Sequence, residues 1–158
     1  MRAVVVGVGN EFRRDDGIGP AVARSLARRG VRAEVTDGDP VRLMEAWADA
    51  ELVVVVDAMR CAPAVPGRVH RVSFGGSLPS ATSSHGFGVP EAVELADALG
   101  RLPDRLVVFA VEVAEVGFGL GLTPAVAAAV PTVEAAVLTE LGLDSGPEWM
   151  IGNAGRDV

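Results

Sequence analysis

The chain has 158 residues, of which 49% are hydrophobic and 22% charged, with a formal net charge of −7. A chain of this length buries about two thirds of its extended surface on folding, enough for one compact core. The acidic balance argues against a general nucleic-acid or anionic-membrane binder and leaves small molecules, cations and proteins as partners.

Taken in chain order, "MRAVVVGVGN" opens with one basic residue and a short apolar run broken by Gly7, without a signal-peptide core, and no later run approaches the roughly 18 apolar residues of a membrane span. The expected location is therefore cytoplasmic. "AVVVG" at 3–7 reads as a first strand. Ile18, Val22 and Leu26 then recur every fourth residue, which predicts a helix with Pro20 in its first turn and Gly30 at its end. "VRAEVTDG" at 31–38 reads as a second strand, followed by a helix near 40–48. "ELVVVVDA" at 51–58 is apolar on both faces and is expected to be a central strand. "GRVHRVSF" at 67–74 and "DRLVVFAVEV" at 104–113 complete the strands, separated by a helix at 88–100. A last helix spans 124–141, where Pro131 is expected to start a new helix or kink this one. The alternation predicts an α/β domain over 1–143, a sheet covered by helices on both faces. Beyond it, 144–158 loses the apolar period and reads as a loose tail, part of which Trp149 and Met150 are expected to pin.

In open α/β sheets ligands gather at the carboxyl ends of the strands. That rule selects Asp15 and Asp16 after the first strand, Asp37 after the second, Asp57 at the end of the third, and Glu112 and Glu115 after the fifth. His85, in the loop "SSHGFG", precedes a predicted helix and is expected to reach the same cleft. Each has a plainer reading. Asp15 or Asp16 can cap the following helix, and His85 can be a solvent-facing loop residue. Asp57, ending a four-valine run, is harder to place without a partner because burying a carboxylate is unfavourable. His70 falls inside a strand, away from its end, and reads as structural. Cys61, the single cysteine, excludes an internal disulfide or a zinc ribbon and reads as a buried thiol. Gly7 and Gly9 suggest a dinucleotide fingerprint, but Phe12 stands where the third glycine belongs; only Asp37 keeps a trace of that reading. No serine-hydrolase elbow, zincin helix or phosphate-binding Walker loop is present.

Together "GVGNEFRRDDGIGP", "VVVVDA" and "SSHGFG" resemble the nickel-iron hydrogenase maturation endopeptidases, and the likeness runs from the first strand through "GLTPAVAAAVPTVEAAV". The resemblance implies a three-layer fold with a twisted, mostly parallel five-stranded sheet. It implies removal of a C-terminal extension from a hydrogenase large-subunit precursor once nickel is in place; a monomer is the expected state. It also implies metal contacts from Asp16, Asp57 and His85, with nickel supplied by the precursor. In that family the second acidic position is often Glu; Asp16 is one methylene shorter, and Asp15 is the substitute ligand if Asp16 points away. Two carboxylates and an imidazole suit a borderline divalent ion with coordination positions left open. Glu112 or Glu115 is available as a base, and whether nickel polarises the peptide or only marks the loaded substrate stays open. A metallocentre chaperone that cuts nothing would need the same ligands, and a nucleotide-binding domain is the remaining alternative.

Overall fold

The computed structural model describes residues 2–74 and 89–143. The strands are β1 (Ala3–Val8), β2 (Ala33–Thr36), β3 (Leu52–Met59), β4 (Val69–Phe74) and β5 (Arg105–Glu112). The helices are α1 (Ile18–Arg28), α2 (Pro40–Ala46), α3 (Val89–Ala98) and α4 (Pro124–Glu140), with one turn of 3-10 helix at Arg14–Gly17 leading into α1. The strands form one five-stranded sheet in the order β2-β1-β3-β5-β4, with β3 at the centre as the four-valine run predicts.

Alternation along the strands divides the core into two layers. Leu52, Val54, Val56 and Ala58 of β3 pack with Ile18, Val22 and Leu26 of α1 and Val126, Val133 and Val137 of α4. Val53 and Val55 face the other way, against Leu43, Met44 and Trp47 around α2 and Val89 and Val93 of α3. Both faces of β3 are buried, so a continuous valine run, and not an alternating one, is the pattern this position requires. Among the described residues no helix is long and apolar enough to cross a membrane.

Four strands are parallel, and β4 runs antiparallel to β5. The connection from β3 to β4, 60–68, contains no helix. A parallel return needs a crossover of roughly a dozen residues or more, usually helical. The chain therefore stays at the carboxyl end of the sheet, and β4 starts there and runs back. Its first residues lie beside the last residues of β5.

α4 continues through Pro131 as one helix, so no new helix starts there. Pro131 removes one N–H and leaves the carbonyl of Ala127 without its helical donor. Both residues are exposed, and water can satisfy that carbonyl.

The entry of α1 sits directly on the edge of the sheet. A Cβ on Gly19 would collide with the carbonyl oxygens of Val56 in β3 and Val8 at the end of β1. Only a residue without a side chain lets the helix approach this closely. Gly19→Ala is expected to destabilise the protein by about 3 kcal/mol, because backbone has to move on both sides; urea unfolding of the variant beside the wild type measures it.

Candidate active site

The adjacent aspartates divide their work. Asp15 is fully buried. One oxygen accepts the N–H groups of Ala114 and Glu115 at 2.9 and 3.0 Å, and the other accepts the N–H of Thr123 at 2.7 Å. The Thr123 hydroxyl reaches both oxygens, at 2.8 and 3.0 Å. Burial pushes the Asp15 carboxyl up, but the donors from Thr123, Glu115 and Ala114 together outweigh it and hold the group below the usual carboxylate range. Neither aspartate caps α1, whose N-cap is Gly17 with no side-chain bond. Asp15 instead clamps the β5–α4 connection and Thr123, the N-cap residue of α4. With both oxygens committed in this way, it is not placed to substitute for Asp16 as a ligand.

Asp16 is half-buried and turned to the end of β1, where one carboxylate oxygen accepts the N–H of Asn10 at 2.8 Å. The Asn10 side chain in turn accepts the N–H of Phe12 at 3.0 Å, so the turn after β1 is closed by its own polar groups. Gly9 has a φ of 145°, and a Cβ there would strike the backbone oxygen of Asp16. The glycine lets the backbone carrying the shorter acid come in close.

Asp57 lies within β3, one residue beyond Val56, which pairs with Gly7 of β1. Its side chain is 4% exposed, and one oxygen accepts the N–H of Ala58 at 2.8 Å. Strand alternation turns it to the α2/α3 face, the face that α3 joins after the 75–88 segment. His85 lies outside the described residues. Asp16 follows the end of β1, and Asp57 lies in the neighbouring β3, which continues past it to Met59 instead of ending there as the sequence predicts.

A second polar group occupies the β4–β5 corner. Glu112 is 3% exposed and accepts the Val65 N–H at 3.0 Å. His70 Nε2 is 2.7 Å from the same carboxylate, and Arg68 Nε is 3.5 Å away. The Val65 N–H, then His70, with help from Arg68 and Cys61, hold the Glu112 carboxyl below its ordinary range against the effect of burial. Burial, and then the Glu112 charge, push the Cys61 thiol up, so it stays protonated.

This corner corrects the reading of His70 as lying away from the strand ends, since it is the second residue of β4. Because β4 is antiparallel, the start of the strand, and not its end, lies at the carboxyl edge. The missed signal is the short, helix-free 60–68 connection. Asp37 does not join the others: it follows the outer strand β2, accepts the Asp39 N–H at 3.1 Å and pairs with Arg42 at 3.5 Å. Glu115 is exposed, and its backbone N–H is taken by Asp15. Among the described residues no group of three or more His, Cys, Asp and Glu side chains is arranged to hold a metal ion.

A family model described as hydrogenase maturation protease matches residues 20–140. The chain belongs to this family. The matched span takes in Asp57, His70 and Glu112, and Asp16 lies just before it. Among curated relatives, the hydrogenase 2 maturation protease of Escherichia coli strain K12 is 26% identical over 162 residues, covering 96% of this chain and 99% of that protein. The fold is that of the NiFe hydrogenase maturation protease HybD of Thermococcus kodakarensis, at a TM-score of 0.74 and 24% identity over 89% of this chain and 99% of that one. The hydrogenase 2 maturation peptidase of Thaumarchaeota archaeon SCGC_AB-539-E09 is 26% identical at a TM-score of 0.68, covering 91% and 100% of the two chains.

In this maturation protease the Asp15 clamp makes a testable contribution to stability. Its carboxyl is held below the unfolded value of roughly 3.9, so its stabilisation is complete above that pH and is lost as pH falls toward the folded value. Asp15→Asn is expected to lower stability by about 3 kcal/mol at pH 7. The gap to wild type should narrow in urea titrations repeated near pH 3.

Proposed function

We propose that the chain is the endopeptidase that removes the C-terminal extension of a nickel-iron hydrogenase large-subunit precursor after nickel insertion, contacting the precursor's nickel through Asp16, Asp57 and His85. Family membership supports the peptidase reading. The observation that carries the site is the unequal fate of the aspartate pair. Asp15 is buried in a cross-link with both oxygens in use, while Asp16 is turned to the end of β1 beside the strand that carries Asp57.

Nickel enters this reading as part of the substrate. Two carboxylates and one imidazole bind a borderline divalent ion without enclosing it, so an ion already held by the precursor can keep its own ligands. The close approach at Gly9 answers the shorter reach of Asp16, since the backbone supplies what the missing methylene does not. One chain carries all three contacts, so a monomer suffices. The enzyme then docks with loaded precursor in preference to empty precursor, and cleavage follows metal insertion.

The test is gel mobility of a cognate precursor, nickel-loaded and nickel-free, incubated with wild type, Asp16→Ala and Asp57→Asn. Only wild type with loaded precursor is expected to give the shortened product. Asn keeps an acceptor for the Ala58 N–H, so Asp57→Asn should melt within a few degrees of wild type. A large stability loss would make Asp57 a structural residue, and a loaded cognate precursor left intact by wild type would leave a binder that does not cut.

Affinity for the loaded precursor carries a separate prediction. A neutral His85 ligand requires binding to weaken as pH drops below about 6.5, because protonation removes the lone pair. Binding isotherms at pH 5.5 and 7.5 with equal affinity would remove His85 from the contact set.

A further inference from the structure

Glu112 and His70 lie beside the Asp57 site but have no part in metal contact as proposed above. Asp57 of β3 pairs with Ala110 of β5, and Ala110 pairs with His70 of β4. The three residues form one row across the sheet, on the same face. With strands about 4.8 to 5.5 Å apart, Asp57 and His70 are separated by roughly 10 Å between Cα atoms. Ala110 contributes only a methyl group between them, so both can reach one bound stretch of polypeptide.

The ring is held in a defined state by Glu112. An ionised carboxylate only accepts hydrogen bonds, so the 2.7 Å contact to Glu112 places the proton of a neutral ring on His70 Nε2. Nδ1 is then the acceptor. The His70 side chain is 39% exposed while Glu112 is 3% exposed, so the imidazole joins a buried anion to solvent. Neutralising Glu112 does not itself require a histidine, since Arg68 stands 3.5 Å away and the Val65 N–H already donates. Among the described residues, the ionisable groups around the ring are Glu112, Arg68 and Cys61 at the corner and Asp57 along the row.

We infer that His70 is the proton-transfer residue for peptide hydrolysis, with Glu112 as its positioning residue. This rests on the peptidase reading above. His70 Nδ1 takes a proton from water as the water oxygen bonds to the scissile carbonyl carbon. The imidazolium, stabilised by Glu112, then gives that proton to the leaving nitrogen as the C–N bond breaks. The products are a new carboxyl terminus and the released amine, and the ring returns to its neutral form.

Single-turnover cleavage of nickel-loaded precursor by His70→Gln and His70→Ala tests this. The Gln side-chain amide can still donate to Glu112, so it preserves the corner but cannot carry the proton. His70→Gln is expected to bind loaded precursor as wild type does, to melt near wild type and to cleave about 100-fold more slowly. Free imidazole added to His70→Ala is expected to restore cleavage by about tenfold or more, since the position is open to solvent. Cleavage by His70→Gln within about threefold of wild type, or no response of folded His70→Ala to imidazole, would overturn the assignment. In either case an active wild type leaves the peptidase reading standing; an inactive wild type with cognate loaded precursor defeats both.

Discussion

A buried carboxylate held by neutral hydrogen-bond donors ties the carboxyl end of this sheet together. Asp15 receives three backbone N–H groups and a hydroxyl from the segment that follows β5, more than a hundred residues away in places. Neutral donors of this kind stabilise an anion without a counter-ion, provided all of them are in place at once. The clamp ties the turn after β1 to the start of α4. Asp16 sits on the same turn, so the orientation of the candidate ligand depends on the residue before it.

α4 is secured by acids at both ends. Asp15 holds Thr123 at its start, and Glu140 in its last turn pairs with Arg71 of β4 and Arg105 of β5. Between these points Val126, Val133 and Val137 supply the apolar contact. Arg71, then Arg105, keep the Glu140 carboxyl below its usual range. Two connections at the carboxyl edge, 60–68 and 113–123, are likewise fixed by carboxylates, Glu112 for one and Asp15 for the other. The negative charge of the chain is thus partly internal, used as acceptors for backbone that has no strand or helix partner.

The same geometry explains why two polar centres lie so close together. Parallel β1, β3 and β5 all deliver their last residues to one edge, so the turn after β1 that carries Asp16 and the last half of β3 that carries Asp57 share that edge. β4 delivers its first residues to that edge, which adds Arg68 and His70. Asp57 and Glu112 face the same side because they occupy the same phase of alternation in neighbouring strands, with Asp57 opposite Ala110 and Met59 opposite Glu112.

The strands and helices were legible in the chain because burial on two faces demands continuous valine, and burial on one demands a stripe every third or fourth residue. The carboxyl-edge rule pointed to Asp16 and Asp57 from where the apolar runs stop, although β3 continues through Asp57 to Met59, because its pairing with β5 carries the strand on. What Asp15 does was not legible: its partners are backbone N–H groups, which every residue carries and no pattern marks. The place of His70 at the carboxyl edge was not legible, because it depends on strand direction, and direction follows from which connections cross the sheet. Local pattern therefore determined the elements and their buried faces, whereas pairing across the sheet decided which polar groups meet, because a hydrogen bond between distant segments leaves no period in the sequence.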